Sequence, residues 1–198
     1  GLAMAASWVA PQNPYDIGGV ELLDAFKPPI PLEGSDSRFI FGTDDQGRGM
    51  FSTILYGMRL SLIVGFASVV FAMVLGVTLG LISGFFGGFI EMIIMRAADI
   101  QLSFPNILIA LLVDGILRTA LPHEVHEELT IYVLIFAIGI SNWVQYARTV
   151  RGSTLVEKHK EYVQAARVMG VSRFAILARH ILPNVMGPVL VIATLGLA

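Results

Sequence analysis

The stretch Leu60–Ile90, LSLIVGFASVVFAMVLGVTLGLISGFFGGFI, contains no charged residue. An α-helix rises 1.5 Å per residue, and about 20 residues cross a hydrocarbon core of about 30 Å. The stretch is long enough to span a bilayer with room for tilt. Two further uncharged runs, Leu129–Ala147 and Ile181–Ala198, have the same character. Ile100–Val113 is shorter and stops at Asp114, so it spans only with Asp114 near a headgroup region. The pattern predicts an all-α, polytopic transmembrane bundle with spans at residues 60–84, 100–117, 129–147 and 181–198. Gly1–Ala10 reads as the tail of one more apolar helix, and residues 11–59, rich in Pro, Gly and Asp, as an irregular segment. Both ends read as lying within a longer chain, so residues 60–198 are expected to be a membrane domain lacking its C-terminal part.

Composition points the same way. Of 198 residues, 55% are hydrophobic and 14% charged, and the mean hydropathy is +0.73. Soluble domains carry about 25% charged residues, so the natural solvent for this chain is the bilayer. Without cysteine there is no disulfide framework, zinc-thiolate site or thiol nucleophile. The net charge of −2 hides an uneven distribution: of thirteen Lys and Arg, seven lie in one stretch, at Arg148, Arg151, Lys158, Lys160, Arg167, Arg173 and Arg179. The positive-inside rule places loop 148–180 in the cytoplasm. Alternating crossings then put residues 11–59 and 118–128 outside and Phe85–Asp99 inside.

Ala72, Gly76, Gly80, Gly84 and Gly88 recur every four residues. Small residues at that spacing allow another helix to approach closely, which predicts a packing seam. Pro105, Pro183 and Pro188 mark breaks or helix starts, because proline lacks the N–H and clashes with the preceding turn.

The loop after residue 147 is too polar to span and too apolar to be disordered. On a helical wheel Leu155, Val156, Tyr162, Val163, Ala166 and Met169 share one face of a helix over Leu155–Gly170. Gly170 suits a left-handed helix stop, and Ser172 suits the cap of a second short helix, Arg173–His180. The pattern fits either an interfacial helix on lipid or a docking element for a soluble partner. Nucleic-acid binding does not suit a short loop between membrane spans.

The stretch EYVQAARVMGVSRFAILARHILPN (Glu161–Asn184) resembles the EAA loop of ABC-importer permeases, with Ala165, Ala166, Gly170, Leu182 and Pro183 at the motif positions. YARTVRG (Tyr146–Gly152), MRAADIQLSFP (Met95–Pro105) and FGTDDQGRG (Phe41–Gly49) fit the peptide/nickel branch of that family, in the right order over roughly residues 40–198. Gln164 stands where the family usually carries a glutamate, so no role of that glutamate transfers. His180 replaces a frequent isoleucine, and Gln46 and Gly49 replace an expected leucine and aspartate. The resemblance implies a subunit of the bacterial inner membrane that moves short peptides, nickel complexes or related solutes. Glu161, Ala165, Ala166, Gly170, Val171 and Ser172 would couple it to an ATPase. It also implies a second permease, two ABC ATPase subunits carrying ATP and Mg, and an extracytoplasmic solute-binding protein. The chain itself has no G-x-x-x-x-G-K-[ST] phosphate loop, and none of Lys27, Lys158 and Lys160 follows such a glycine run. No enzyme activity and no cofactor are therefore expected in it.

Some residues invite sharper readings. Asp114 reads as a wetted carboxylate at a helix end, with a substrate-binding role as the alternative. His123 and His126 lack the H-E-x-x-H spacing of a metal pair. Arg96 and Asp99, at i and i+3, are expected to pair or snorkel, and Trp143 and Tyr146 to be interfacial aromatics. Asn106, Ser141 and Asn142 are polar residues available to line a pathway. An ion-coupled secondary transporter is the rival function, but Leu60–Ile90 and Leu129–Ala147 hold no acid or histidine for a relay. An intramembrane enzyme is the remoter rival; Ser61, Ser68, Ser83, Ser103 and Ser141 have no histidine within a span to activate them.

Overall fold

The computed structural model describes residues 6–16, 21–120 and 126–197. It consists of two compact units, Gly1–Ile63 and Val64–Ala198. The elements are α1 (Ala6–Val9), a 3-10 turn (Leu22–Asp24), α2 (Met50–Phe86), α3 (Gly88–Leu102), α4 (Asn106–Ala120), α5 (His126–Glu157), α6 (Glu161–Val168), α7 (Arg173–Ala175), a π-helical segment (Ile176–Ile181) and α8 (Leu182–Gly196). Among the described residues there is no strand, only an isolated bridge between Thr43 and Gly49. The expected helical tail at residues 1–10 is helical over Ala6–Val9, and residues 1–5 lie outside the description.

In the first unit, Asp24 is buried and receives Lys27 Nζ at 2.5 Å and Arg38 at 3.1 Å; both cations also reach Asp36 at 2.8 Å. Asp44 organises the FGTDDQGRG loop. Its Oδ1 accepts the Gln46 and Arg48 backbone N–H groups, each at 2.9 Å, and its Oδ2 pairs with Arg48 at 2.7 Å.

Three helical stretches among the described residues are long and apolar enough to cross a membrane: Met50–Phe86, Leu129–Glu157 and Arg173–Gly196. The chain is an all-α integral membrane protein. The first helix begins ten residues before the expected Leu60, because Arg59 interrupts an apolar run without interrupting a helix. The expected span 100–117 is broken. Residues 100–102 end α3, and α3 and α4 meet at 96°. Pro105 makes the break: it cannot donate, it biases Phe104 away from helical geometry, and its carbonyl accepts Leu108 N–H at 2.9 Å to start α4. Just before the break the Gln101 amide ties α3 to α5, donating to the Ile140 and Ser141 carbonyls at 2.9 and 3.0 Å and accepting from Trp143 Nε1 at 2.8 Å.

The helical stretch that holds the last span starts at Arg173 rather than at 181. Pro183 falls near the start of α8 and is accommodated by the wider π turn before it, with the His180 carbonyl accepting from Asn184 Nδ2 at 2.6 Å. Pro188 sits inside α8 without ending it.

The α2–α5 seam explains the glycines. A Cβ on Gly80 would fall 2.6 Å from the Ala147 carbonyl oxygen, and one on Gly84 2.7 Å from Thr154 Cβ. One on Gly76 would meet Tyr146 Cβ at 2.5 Å. Gly88 does not continue the row, since α2 has ended and Gly88 opens α3 with open space around it. This close approach buries Trp143 and Tyr146, so neither is interfacial. Asp99 pairs with Arg148 at 2.5 Å instead of with Arg96, and Glu91 takes Arg151 Nε at 2.6 Å. Helix-to-helix pairs replace the local one because α5 continues ten residues past the expected end of its span.

Candidate functional site

The expected amphipathic helix Leu155–Gly170 is two elements. Helix α5 carries through to Glu157, the chain turns at Lys158–Lys160, and α6 starts at Glu161. No proline or glycine marks this turn in the sequence. Tertiary contacts make it: Lys158 Nζ donates to the Gly84 carbonyl at the end of α2 at 2.8 Å, and Lys160 Nζ folds back onto Glu157 Oε1 at 2.6 Å.

The end of α6 follows local rules. Gly170 adopts φ +78, its N–H bonds the Arg167 carbonyl, and Val171 N–H reaches back to Ala166, each at 3.0 Å. This is the Schellman arrangement, in which a left-handed residue satisfies the orphan carbonyls of a helix end. Ser172 then caps α7, its Oγ accepting Ala175 N–H at 3.3 Å.

Shortening the helix changes which side chains face out. Val163 and Ala166 are buried in the same apolar core as Tyr146, Val150, Ile176, Ile181 and Val185 of the spans. Ala166, placed above among the coupling residues, therefore points inward at 1% exposure. Glu161, Ala165, Gly170 and Ser172 are exposed and Val171 is half-buried. The outward apolar surface comes instead from Val168, Met169 and Phe174, exposed 89%, 73% and 81%. The wheel missed Val168 and Phe174 because it ran one uninterrupted helix phase through the Lys158–Lys160 turn and stopped at Gly170.

A polar hub fastens this segment to two spans. The Tyr162 hydroxyl donates to Glu157 Oε2 at 2.5 Å and accepts from Asn184 Nδ2 at 3.2 Å, while its ring meets His180 edge-on. Burial, and then the neighbouring Glu157 carboxylate, push the Tyr162 phenol up to about 12, so it stays a donor at neutral pH. Helix α6 is thereby held to the end of α5 and to the first turn of α8.

Other candidates fall elsewhere. Asp114 lies half-buried inside α4, not at a helix end. His123 lies outside the described residues, as does the side chain of His126. Asn106 Nδ2 donates to Asn142 Oδ1 at 3.3 Å, and Ser141 is buried, bonded to the Ala137 carbonyl at 2.7 Å.

Residues 76–198, which hold the glycine seam and the whole α5–α8 segment, match the family described as binding-protein-dependent transport system inner membrane component. The chain belongs to this family. Its relatives include a dipeptide transport system permease protein, DppC, of Alkalihalophilus pseudofirmus, 41% identical over 165 residues, covering 83% of this chain and 51% of the relative. An oligopeptide permease protein, OppC, of Bacillus subtilis is 38% identical, with 91% and 54% covered. A glutathione permease protein, GsiD, of Pectobacterium atrosepticum is 37% identical, with 96% and 58% covered. The chain thus spans little more than half the length of these curated relatives. The stretch Glu161–Asn184, quoted above for its resemblance, lies within the matched residues.

Proposed function

We propose that this chain is a membrane-spanning permease subunit of an ATP-driven importer for short peptides or a related small solute. In this reading α6 and the turn Met169–Ser172 dock onto a partner ATPase. The observation that carries it is the two-sidedness of α6. Val163 and Ala166 are continuous with the core of the spans, while Val168, Met169 and Phe174 stand free. An apolar tip of this kind suits a groove on a soluble partner, and the Tyr162 hub would pass its displacement to α5 and α8. Glu161, Ala165, Gly170 and Ser172 are exposed on the same segment and remain available to that partner.

The basic residues between Arg148 and Arg179 favour a cytoplasmic location for this segment. ATP and Mg would be held by two ATPase subunits, a second permease would complete the pathway, and an extracytoplasmic binding protein would deliver the solute. Peptide cargo is favoured by the named substrates of the relatives, dipeptides, oligopeptides and glutathione.

The test uses the full-length tagged subunit co-expressed with its partner genes and purified in mild detergent. Wild-type chain is expected to bring down a second permease and an ATPase. Phe174→Asp combined with Met169→Asp is expected to lose the ATPase while membrane abundance and melting temperature stay unchanged. A wild-type assembly containing no ATPase overturns the importer reading. Retention of the ATPase by the double variant at wild-type ratio overturns only the docking assignment.

A further inference from the structure

Of the buried hydroxyls in the membrane-spanning unit without a hydrogen-bond partner among the described residues, two face one recess. Ser68 Oγ and Tyr146 OH are both buried, each residue 1% exposed, and neither has a hydrogen-bond partner among the described residues. Both line a cavity of about 110 Å³ bounded by α2, α5 and α8, together with Gly65, Asn142, Gln145 and Gly196. The Tyr146 hydroxyl points toward Gly196, lying 3.6 Å from where a Cβ would stand there.

Buried polar atoms are almost always paired, and those left over mark water, an ion or a functional role. Here the lining contains no charged side chain, which leaves an ion without a counter-charge in a low-dielectric setting. A lipid chain would leave both hydroxyls as they are. Water needs roughly 10–15 Å³ of such volume per molecule and two to four polar partners. Ser68, Tyr146, Asn142 and Gln145 supply them, and Gln145 is exposed, giving the recess a polar way out. We infer that the recess between α2, α5 and α8 is a binding site for a small cluster of water molecules, held by the Ser68 and Tyr146 hydroxyls. The site sits beside the glycine seam on the same pair of helices, α2 and α5.

Hydroxyl-radical footprinting tests this, because radicals generated on bound water label the side chains it touches. The full-length chain in lipid nanodiscs would be irradiated in millisecond pulses and modification read by mass spectrometry. Trp143 is the internal control: it is nearly as buried, on the same helix and intrinsically reactive, but its indole N–H is bonded to Gln101. Tyr146 is expected to be modified several-fold faster than Trp143. Ser68→Val, which removes one anchor and fills space, is expected to abolish most of the Tyr146 labelling and leave Trp143 unchanged. Wild-type Tyr146 labelled no faster than Trp143 overturns the proposal. So does Tyr146 labelling at the wild-type rate in Ser68→Val, since the cluster would then not rest on Ser68.

Discussion

The Tyr162 hydroxyl donates to Glu157 Oε2 at 2.5 Å, joining the second residue of α6 to the last residue of α5. Tyr162→Phe keeps the ring and removes this bond together with the weaker contact from Asn184 Nδ2 at 3.2 Å. A hydrogen bond to a charged group contributes about 1.5–3 kcal/mol when buried. Tyr162 is partly exposed, and solvent screening lowers the expectation to about 1 kcal/mol. Hydrogen exchange over residues 158–170 should accelerate while α2 and α8 keep wild-type protection. Unchanged exchange there would mean that the Lys158–Gly84 and Lys160–Glu157 bonds and the buried Val163 and Ala166 hold the segment without the tyrosine hydroxyl.

Gly80 and Gly152 separate packing from helix propensity. A Cβ at Gly80 meets the α5 backbone at 2.6 Å, whereas at Gly152 nothing lies within 4 Å. Gly80→Ala is expected to destabilise by about 1–3 kcal/mol through overpacking. Gly152→Ala is expected to be neutral or stabilising by up to about 1 kcal/mol, from helix propensity alone. Melting temperatures of the purified variants decide it, and equal shifts in the two would remove the seam as the cause.

What was legible in the sequence is what depends on composition or on one residue's local geometry. Uncharged length announced the helices, Gly170 and Ser172 announced the end of α6 and the start of α7, and Pro105 announced a break. What was not legible depends on partners distant in sequence. The Lys158–Lys160 turn needs the Gly84 carbonyl, 74 positions away. Asp99 prefers Arg148 over Arg96 because α5 is long enough to bring it there. Trp143 and Tyr146 look interfacial until the glycine seam draws α5 onto α2 and covers them. The orientation of Ala166 turned on where α6 begins, which no residue near it declares.

Neighbouring alanines of the motif should therefore behave differently. Ala165 is exposed and Ala166 is in the core. Ala166→Asp places a carboxylate among Val163, Ile176 and Ile181, with desolvation expected to cost several kcal/mol. Membrane abundance and melting temperature should fall together. Ala165→Asp should leave both unchanged and weaken only ATPase co-purification. Equal loss of stability in the two would mean that α6 is rotated from the orientation described.

Acid should loosen the first unit through Asp36. Its carboxylate accepts from the Arg38 side chain and backbone N–H and from Lys27 Nζ, and these bonds hold its pKa well below the usual carboxylate range. The buried Asp24 shares both cations, so the four groups act together. With the folded pKa below the unfolded value of about 3.9, Asp36 contributes its full stabilisation above about pH 4. That contribution is lost as the pH falls further toward the folded pKa. Hydrogen exchange over residues 24–44, corrected for the intrinsic chemical rate, should stay level from neutral pH to about pH 5 and rise below about pH 4. Asp36→Asn should raise exchange at neutral pH and flatten the acid rise. An identical acid rise in Asp36→Asn would assign the acid sensitivity to another carboxylate of this unit, with Asp24 the next to replace.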